Sequence, residues 1–345
     1  MEKNMKYGVK FLVKKIANLN YKRMFDRIDD LHKLTGKGKI SLFCDIVYTG
    51  IKYQAGYEDY AFFKFYDVPR KNRETYLTRG INNQLVKMLN DPEYMYYTDD
   101  KSKFHEVYKE FAARDSIYLK EATKEEFLEF AARHEYIMIK PFDDGSGIGI
   151  EKLAPKDYAS YEELYDYIMS TNSLLVEEVI TQHDDMAKLC PTSVNTLRIV
   201  TIRHPETDEI SIPFAAMRAG TGKPMDNLYA GGVLTILDEN TGVALFPAQN
   251  EELEVFTHHP VTGTPIEGFQ VPFWEETIEF IKKAALVTPQ LRYVGWDVAI
   301  TKNGPLLIEG NAYPANQAYQ MPAMNPGNIG RLPKFEKASG IKFYK

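Results

Sequence analysis

Lys140 stands where a sequence could do chemistry. It ends a short apolar run, Ile137-Met-Ile139, that reads as a strand, and it precedes Pro141, where a helix cannot continue. Gly145, Ser146, Gly147 and Gly149 come next. Glycines turn with φ > 0 and let a backbone approach a ligand closely, and the bare N–H groups of such a turn bind anions. A lysine just upstream adds a charge of the right sign. The pairing suggests a polyphosphate site, with ATP foremost; a flexible hairpin carrying an ordinary surface lysine fits the same residues. The lysine precedes the glycines, which excludes the Gly-x-x-x-x-Gly-Lys-Ser/Thr loop. No helix pattern opens at Gly149, which excludes the dinucleotide fingerprint.

A second group lies near the C-terminus, in Gly295-Trp-Asp-Val-Ala-Ile-Thr-Lys-Asn-Gly-Pro-Leu-Leu-Ile-Glu-Gly-Asn311. Two strands flank an Asn303-Gly304 turn. Alternation puts Glu309 and Asn311 on one face. A two-residue turn at Asn303-Gly304 would set Asp297 opposite Gly310. A three-residue loop, Lys302 to Gly304, sets it opposite Glu309. Two close carboxylates repel, and a hard cation such as Mg²⁺, which favours carboxylate and amide oxygens, would offset that. The alternative is that Asp297 and Glu309 are solvated face residues.

The elements that must position these groups follow from periodicity. Residues 1 to 95 read mostly as helix, and the aromatic cluster from Tyr57 to Tyr66 reads as helix-packing core. Between 96 and 175 helix and strand alternate: a helix from Lys101 to Ala113, a strand at Ile117–Leu119, and a helix capped by Thr123 with Glu126 completing a capping box. Strands at Tyr136–Lys140 and Ile148–Leu153 and a helix at Tyr161–Met169 follow. From Leu174 strands dominate, at Leu174–Ile180 (strand and linker), Thr196–Arg203, Ile210–Arg218, Gly232–Asp238, Val294–Ile300 and Pro305–Asn311, with a helix at Phe273–Val287. The fold class expected is α+β, an antiparallel sheet with helices on one side.

The 345 residues suffice for two or three domains, and 44% hydrophobic with 26% charged residues is ordinary for a globular protein. A net charge of −6 gives no reason to expect nucleic acid. No apolar run is long enough to span a bilayer. Two cysteines, Cys44 and Cys190, make no disulfide framework, so a cytoplasmic setting is expected. Met5, Val9, Leu12, Val13 and Ile16 share a helical face ringed by Lys3, Lys6, Lys10, Lys14 and Lys15. Such a basic helix can lie on an anionic membrane or a partner; packing on its own domain is the favoured reading. His258-His259 reads as a solvated loop, since no spaced cysteine or histidine accompanies it.

Taken together, the strand-Lys140-Pro-glycine segment, Leu175-Val-Glu-Glu178 and Asp297…Glu309-Gly-Asn311 resemble the ATP-grasp superfamily in order and spacing, over roughly residues 96 to 330. Pro191-Thr-Ser-Val-Asn-Thr-Leu-Arg198, Ala230-Gly-Gly232 and Glu309-Gly-Asn311 are most similar to its sugar-transfer-associated group. The resemblance implies two α+β subdomains, 96–175 and 176–345, with the nucleotide between them; the helical domain at 1–95 lies outside the match. It implies that Lys101 (with Lys103 as runner-up) and Lys140 meet the ATP phosphates and that Gly145, Ser146, Gly147 and Gly149 close over them. Glu177, Glu178 and Val179 would line adenine, and Asp184 would take the ribose. Asp297, Glu309 and Asn311 would hold Mg²⁺. Relatives often carry an arginine just before the first metal acid; Gly295 and Trp296 stand there, so Arg198 or Arg218 would act instead, with Lys140, on the transferring phosphoryl.

The implied activity is ATP-dependent ligation of a small-molecule carboxylate to an amine through an acylphosphate, in cell-surface glycan or secondary-metabolite assembly. A small-molecule or sugar kinase on the same fold is one alternative. A non-catalytic nucleotide-binding module of a glycan-assembly complex is another.

Overall fold

A computed structural model of the chain describes residues 20–141, 150–223 and 225–344. The basic N-terminal stretch and Gly145, Ser146, Gly147 and Gly149 lie outside the described residues. The chain divides into two compact units: residues 1–88 with 204–208 and 315–345, and residues 89–203 with 209–314. The segment from Ala315 onward therefore packs with the helical unit, where the sequence analysis placed it in the C-terminal subdomain. The reason is polar as well as apolar. Gln320 Oε1 accepts from the Leu77 N–H at 2.8 Å, and Asn316 Nδ2 donates to the Leu77 carbonyl at 2.8 Å, both buried.

In the first unit, helix α1 (Tyr21–Thr35) begins at Asn20, whose side chain accepts from the Arg23 N–H, and ends at Gly36 in the left-handed region. Met24, Ile28 and Leu31 recur at helical spacing and are buried. Helix α2 (Lys39–Lys52) buries Leu42, Ile46 and Thr49. Both pack on Tyr60, Phe63, Phe65 and Tyr76, so the aromatic cluster is core, as expected.

The second unit holds two antiparallel sheets. The first has the strand order β1-β4-β2-β3: β1 (Ser116–Tyr118), β2 (Ile137–Lys140), β3 (Glu151–Leu153) and β4 (Leu175–Glu178). Helix α4 (Lys124–Arg133), which follows α3 (Lys101–Val107), and helix α5 (Tyr161–Met169) supply Phe127, Phe130, Leu164 and Ile168 to a core with Ile137, Ile139 and Val176. The capping box of Thr123 and Glu126 is formed at the start of α4. Because side chains alternate, Lys140 and Glu177 point to the face opposite that core. Helix α3 ends at Val107, short of the expected Ala113; further on, the Phe111 carbonyl accepts from the Leu307 N–H of the other sheet at 2.9 Å.

The second sheet has the order β11-β10-β5-β6-β7-β8-β9: β5 (Thr196–Arg203), β6 (Ile210–Ala219), β7 (Val233–Ile236), β8 (Ala248–Gln249), β9 (Val255–Phe256), β10 (Tyr293–Thr301) and β11 (Gly304–Asn311). Leu197, Ile199, Ala215, Met217, Trp296, Val298 and Leu307 join helix α6 (Trp274–Ala284) in its core. The alternate positions Arg198, Arg218 and Asp297 consequently share the other face. No helix among the described residues is long and apolar enough to cross a membrane.

Candidate functional site

The β10–β11 hairpin sets the two acids opposite each other by a route that was not foreseen. Thr301 pairs with Gly304, so the loop is the two residues Lys302-Asn303. Continued without interruption, that register would oppose Asp297 to Ile308. Instead the register shifts between Asp297 and Val298, Ile308 bulges, and Asp297 pairs with Glu309. Gly304 has φ 113°, as the turn demands. Gly310 fits because Trp296, Thr98 and Phe104 press on its position; a Cβ there would lie 3.0 Å from the Trp296 ring.

Across β10, Asp297 pairs with Arg198 of β5. The Arg198 Nε lies 2.6 Å from Asp297 Oδ1, and Arg218 Nη2 lies 2.7 Å from Oδ2. Asp297 is only 4% exposed. Burial opposes its charge, but the two guanidiniums overcome it and hold its pKa at about 2. Arg218 also donates to Thr196 Oγ1 from Nε at 2.9 Å, and Thr196 in turn donates to Asp226. Against burial, Asp297 and then Asp226 hold the Arg218 proton more tightly than usual.

Glu309 differs. Its side chain is open to solvent, and no cation forms an ion pair with it among the described residues. Desolvation by the surrounding protein, then the Asp297 carboxylate, push its pKa up to about 7. Asn311 lies two residues further on the same strand, and its Oδ1 accepts from the Tyr313 N–H at 2.8 Å.

The first sheet contributes the cations. Lys140 Nζ pairs with Glu177 Oε2. Glu177 Oε1 also accepts from Arg114 Nη2 at 2.8 Å and lies 2.9 Å from His105 Nε2. Burial works against this carboxylate; the charges of Arg114 and Lys140 outweigh it, so Glu177 stays well below the usual carboxylate range. Lys101 Nζ donates to the Pro141 carbonyl at 2.6 Å, which brings both expected lysines to the entry of the glycine-bearing segment. Lys103 instead pairs with Glu106 at the surface.

Arg114 links the two groups. It donates to the Leu307 carbonyl at 3.0 Å and the Ile308 carbonyl at 3.2 Å while gripping Glu177. The lysine-bearing hairpin and the strand carrying Glu309 thus belong to one hydrogen-bonded network. Sequence reading missed Arg114, His105, Asp226 and Thr196.

Other expected residues have different placements. Glu177 spends its side chain on the ion cluster and its backbone on both neighbouring strands, paired with Ser116 and Met138. The Glu178 N–H donates to the Asp115 carbonyl at 2.9 Å, and Val179 follows the strand half-buried. Asp184 opens a four-residue helix and meets Lys302 at 3.0 Å, both exposed. His259 is not solvated: it is 1% exposed, with Nε2 2.6 Å from the Gly220 carbonyl.

Among the described residues no three His, Cys, Asp or Glu side chains are grouped to hold a metal ion. The donor set still fits Mg²⁺, which takes few protein ligands and completes its shell with water and phosphate oxygens. Of the two facing acids Glu309 is the one without an ion-paired cation among the described residues, and Asn311 adds an amide two residues further on the same strand. Asp297 is already engaged by two arginines and would share its oxygens.

Solved structures similar to this chain include the ATP-grasp ligase PsnB with its minimal precursor, at 13% identity and TM-score 0.40 over 79% of this chain and 67% of that one. D-alanyl-alanine synthetase A from Vibrio cholerae is 14% identical, with TM-score 0.41 over 77% and 70% of the two chains. An ADP complex of N5-carboxyaminoimidazole ribonucleotide synthetase is 11% identical, with TM-score 0.41 over 69% and 51%. No curated protein matches. The sugar-transfer associated ATP-grasp family matches residues 80–337. With that match spanning most of its length, the chain belongs to the sugar-transfer associated ATP-grasp family and has the ATP-grasp fold.

Proposed function

We propose that the chain is an ATP- and Mg²⁺-dependent ligase that activates a carboxylate as an acylphosphate and joins it to an amine. One observation carries this reading: the Lys140–Glu177–Arg114–Ile308 connection, which ties the lysine pair to the strand bearing Glu309. ATP and a carboxylate are both anionic. Lys101 and Lys140 offset the phosphate charge at one end of the network. Arg198 and Arg218, fixed by Asp297 and Thr196, present positive charge at the other, where it would stabilise the transferring phosphoryl. The substrate carboxylate oxygen attacks the γ-phosphorus and ADP leaves. The amine then attacks the acyl carbon, phosphate departs, and the amine proton passes to solvent. Glu309 and Asn311, with Asp297 beside them, would hold Mg²⁺, which when bound neutralises phosphate charge.

The free thiols of Cys44 and Cys190 support a cytosolic setting. The family's association with sugar transfer supports glycan or secondary-metabolite assembly as the class of pathway. Phosphate release is the test, with ATP, Mg²⁺ and pooled amino acids and sugar acids, each offered with and without an amine. Turnover that needs both acid and amine supports ligation. A phosphorylated hydroxyl product would mean a kinase. ATP binding that ignores Mg²⁺, without turnover, would mean a non-catalytic module.

A further inference from the structure

Helix α2 of the first unit carries an apolar stripe that its own core does not use. Its core face is Leu42, Ile46 and Thr49. On another face, Ile40, Phe43, Val47 and Ile51 recur at helical spacing and are exposed, Ile40 by 81% and Ile51 by 55%. Phe25 of α1, 53% exposed, stacks on Phe43 with ring centroids 6.0 Å apart. A contiguous exposed stripe of this kind marks an interaction surface.

Next to it lies a cavity of about 590 Å³. Ser41, Cys44 and Tyr48 line it from α2, each one residue, about 100° of helix, beyond a member of the stripe. Its charged lining is Lys37, Arg70 and Arg73 against Asp45. Arg73 is buried and grips Asp45 at 2.8 and 2.9 Å, which neutralises that pair. Arg70 is 68% exposed, lies 3.7 Å from Asp45 and rests over the Tyr48 ring. Lys37 meets Asp67 at the exposed rim. Asp67 thus answers Lys37 as Asp45 answers Arg73, and the positive charge in excess at the mouth is that of Arg70.

We infer that this unit binds an anionic bilayer surface, with the α2 stripe entering the interface and a lipid phosphate entering the Lys37–Arg70 cavity. Charge selects this occupant. The chain preceding α1 carries Lys3, Lys6, Lys10, Lys14 and Lys15, the same sign as the cavity, so it adds to attraction for an external anion instead of complementing the cavity itself. An apolar stripe beside cations is what an interfacial helix requires.

The test is sedimentation of the full chain with vesicles of phosphatidylcholine alone or with 30% phosphatidylglycerol, a composition set at roughly the anionic content that attracts basic surfaces. The chain should bind the anionic vesicles about tenfold more strongly, and added salt should weaken binding. Arg70→Glu and Ile40→Asp should each lower binding roughly tenfold, with unchanged circular dichroism. Three results would overturn the inference: no binding by the parent chain, equal binding to both vesicles, or variants that bind like the parent. Loss of a dimer on Ile40→Asp, seen by light scattering with vesicle binding unaltered, would also overturn it and assign the stripe to a second copy.

Discussion

Glu177 and the Asp297–Glu309 pair are acids of the same unit built on opposite electrostatic terms. Glu177 is 2% exposed and has three nitrogen-bearing partners, so its charge is fully answered within the protein. Asp297 is answered by two arginines. Glu309 faces Asp297 across the hairpin and receives no such partner, so it holds its proton to about pH 7. An acid satisfied by the fold fixes shape. One without an ion-paired cation among the described residues keeps its proton to higher pH. The difference separates an acid whose charge the fold answers from one whose charge it does not.

Mutation can break that comparison. Glu309→Gln should lower turnover on the order of 10³-fold, the loss expected when charge stabilisation at a phosphoryl site is removed. Its folded state should be as stable as the parent's or more so, because a charge repelled by Asp297 is gone. Phosphate release and urea unfolding check the two halves; normal turnover would end the assignment of Glu309. Glu177→Ala should do the reverse to stability. It strands Arg114 and Lys140 in a buried place and should cost about 3–5 kcal/mol in urea unfolding.

The pH dependence sharpens the contrast. Between the ordinary glutamate value, 4.5, and about 7, the folded chain keeps the Glu309 proton while the unfolded chain releases it. Glu309 therefore makes stability fall as pH rises through that window and adds no further change above it. Glu177 acts oppositely: its folded pKa is depressed, so its contribution is present above 4.5 and lost as pH falls below it. Unfolding curves at pH 5 and pH 8 should lose the Glu309 component in Glu309→Gln and retain it in a control. Thr123→Ala is that control and the smallest effect: it removes a cap remote from either acid and should cost about 1 kcal/mol at both pH values.

Much of this architecture was legible because it is periodic. The Tyr161–Met169 helix and the Thr196–Arg203 strand have the expected bounds, and the Thr123–Glu126 capping box is formed. Alternation puts Arg198, Arg218 and Asp297 on one face, and Glu309 joins them only through the bulge at Ile308. Features without periodicity were not legible. Strands β8 and β9 have two residues each, too few for a pattern. Arg114 stands between a helix and a strand, and its partner Glu177 is 63 residues away, so no local spacing announces the pair. The end of α3 was misplaced because the backbone beyond it bonds to β11, a tertiary demand that overrides helix propensity.

The Ile308 bulge has a consequence for any change of length in this hairpin. Facing acids depend on the parity of the residues between them, counted through both the Lys302-Asn303 loop and the bulge. Deleting one residue near Ile308 would invert Glu309 to the apolar side of the sheet, although composition and loop would be unaltered. Adding one residue to the loop while removing one at the bulge would restore the encounter. Hairpins of unequal loop length can therefore preserve one facing pair of acids, and an alignment that slides gaps freely between turn and strand would conceal it.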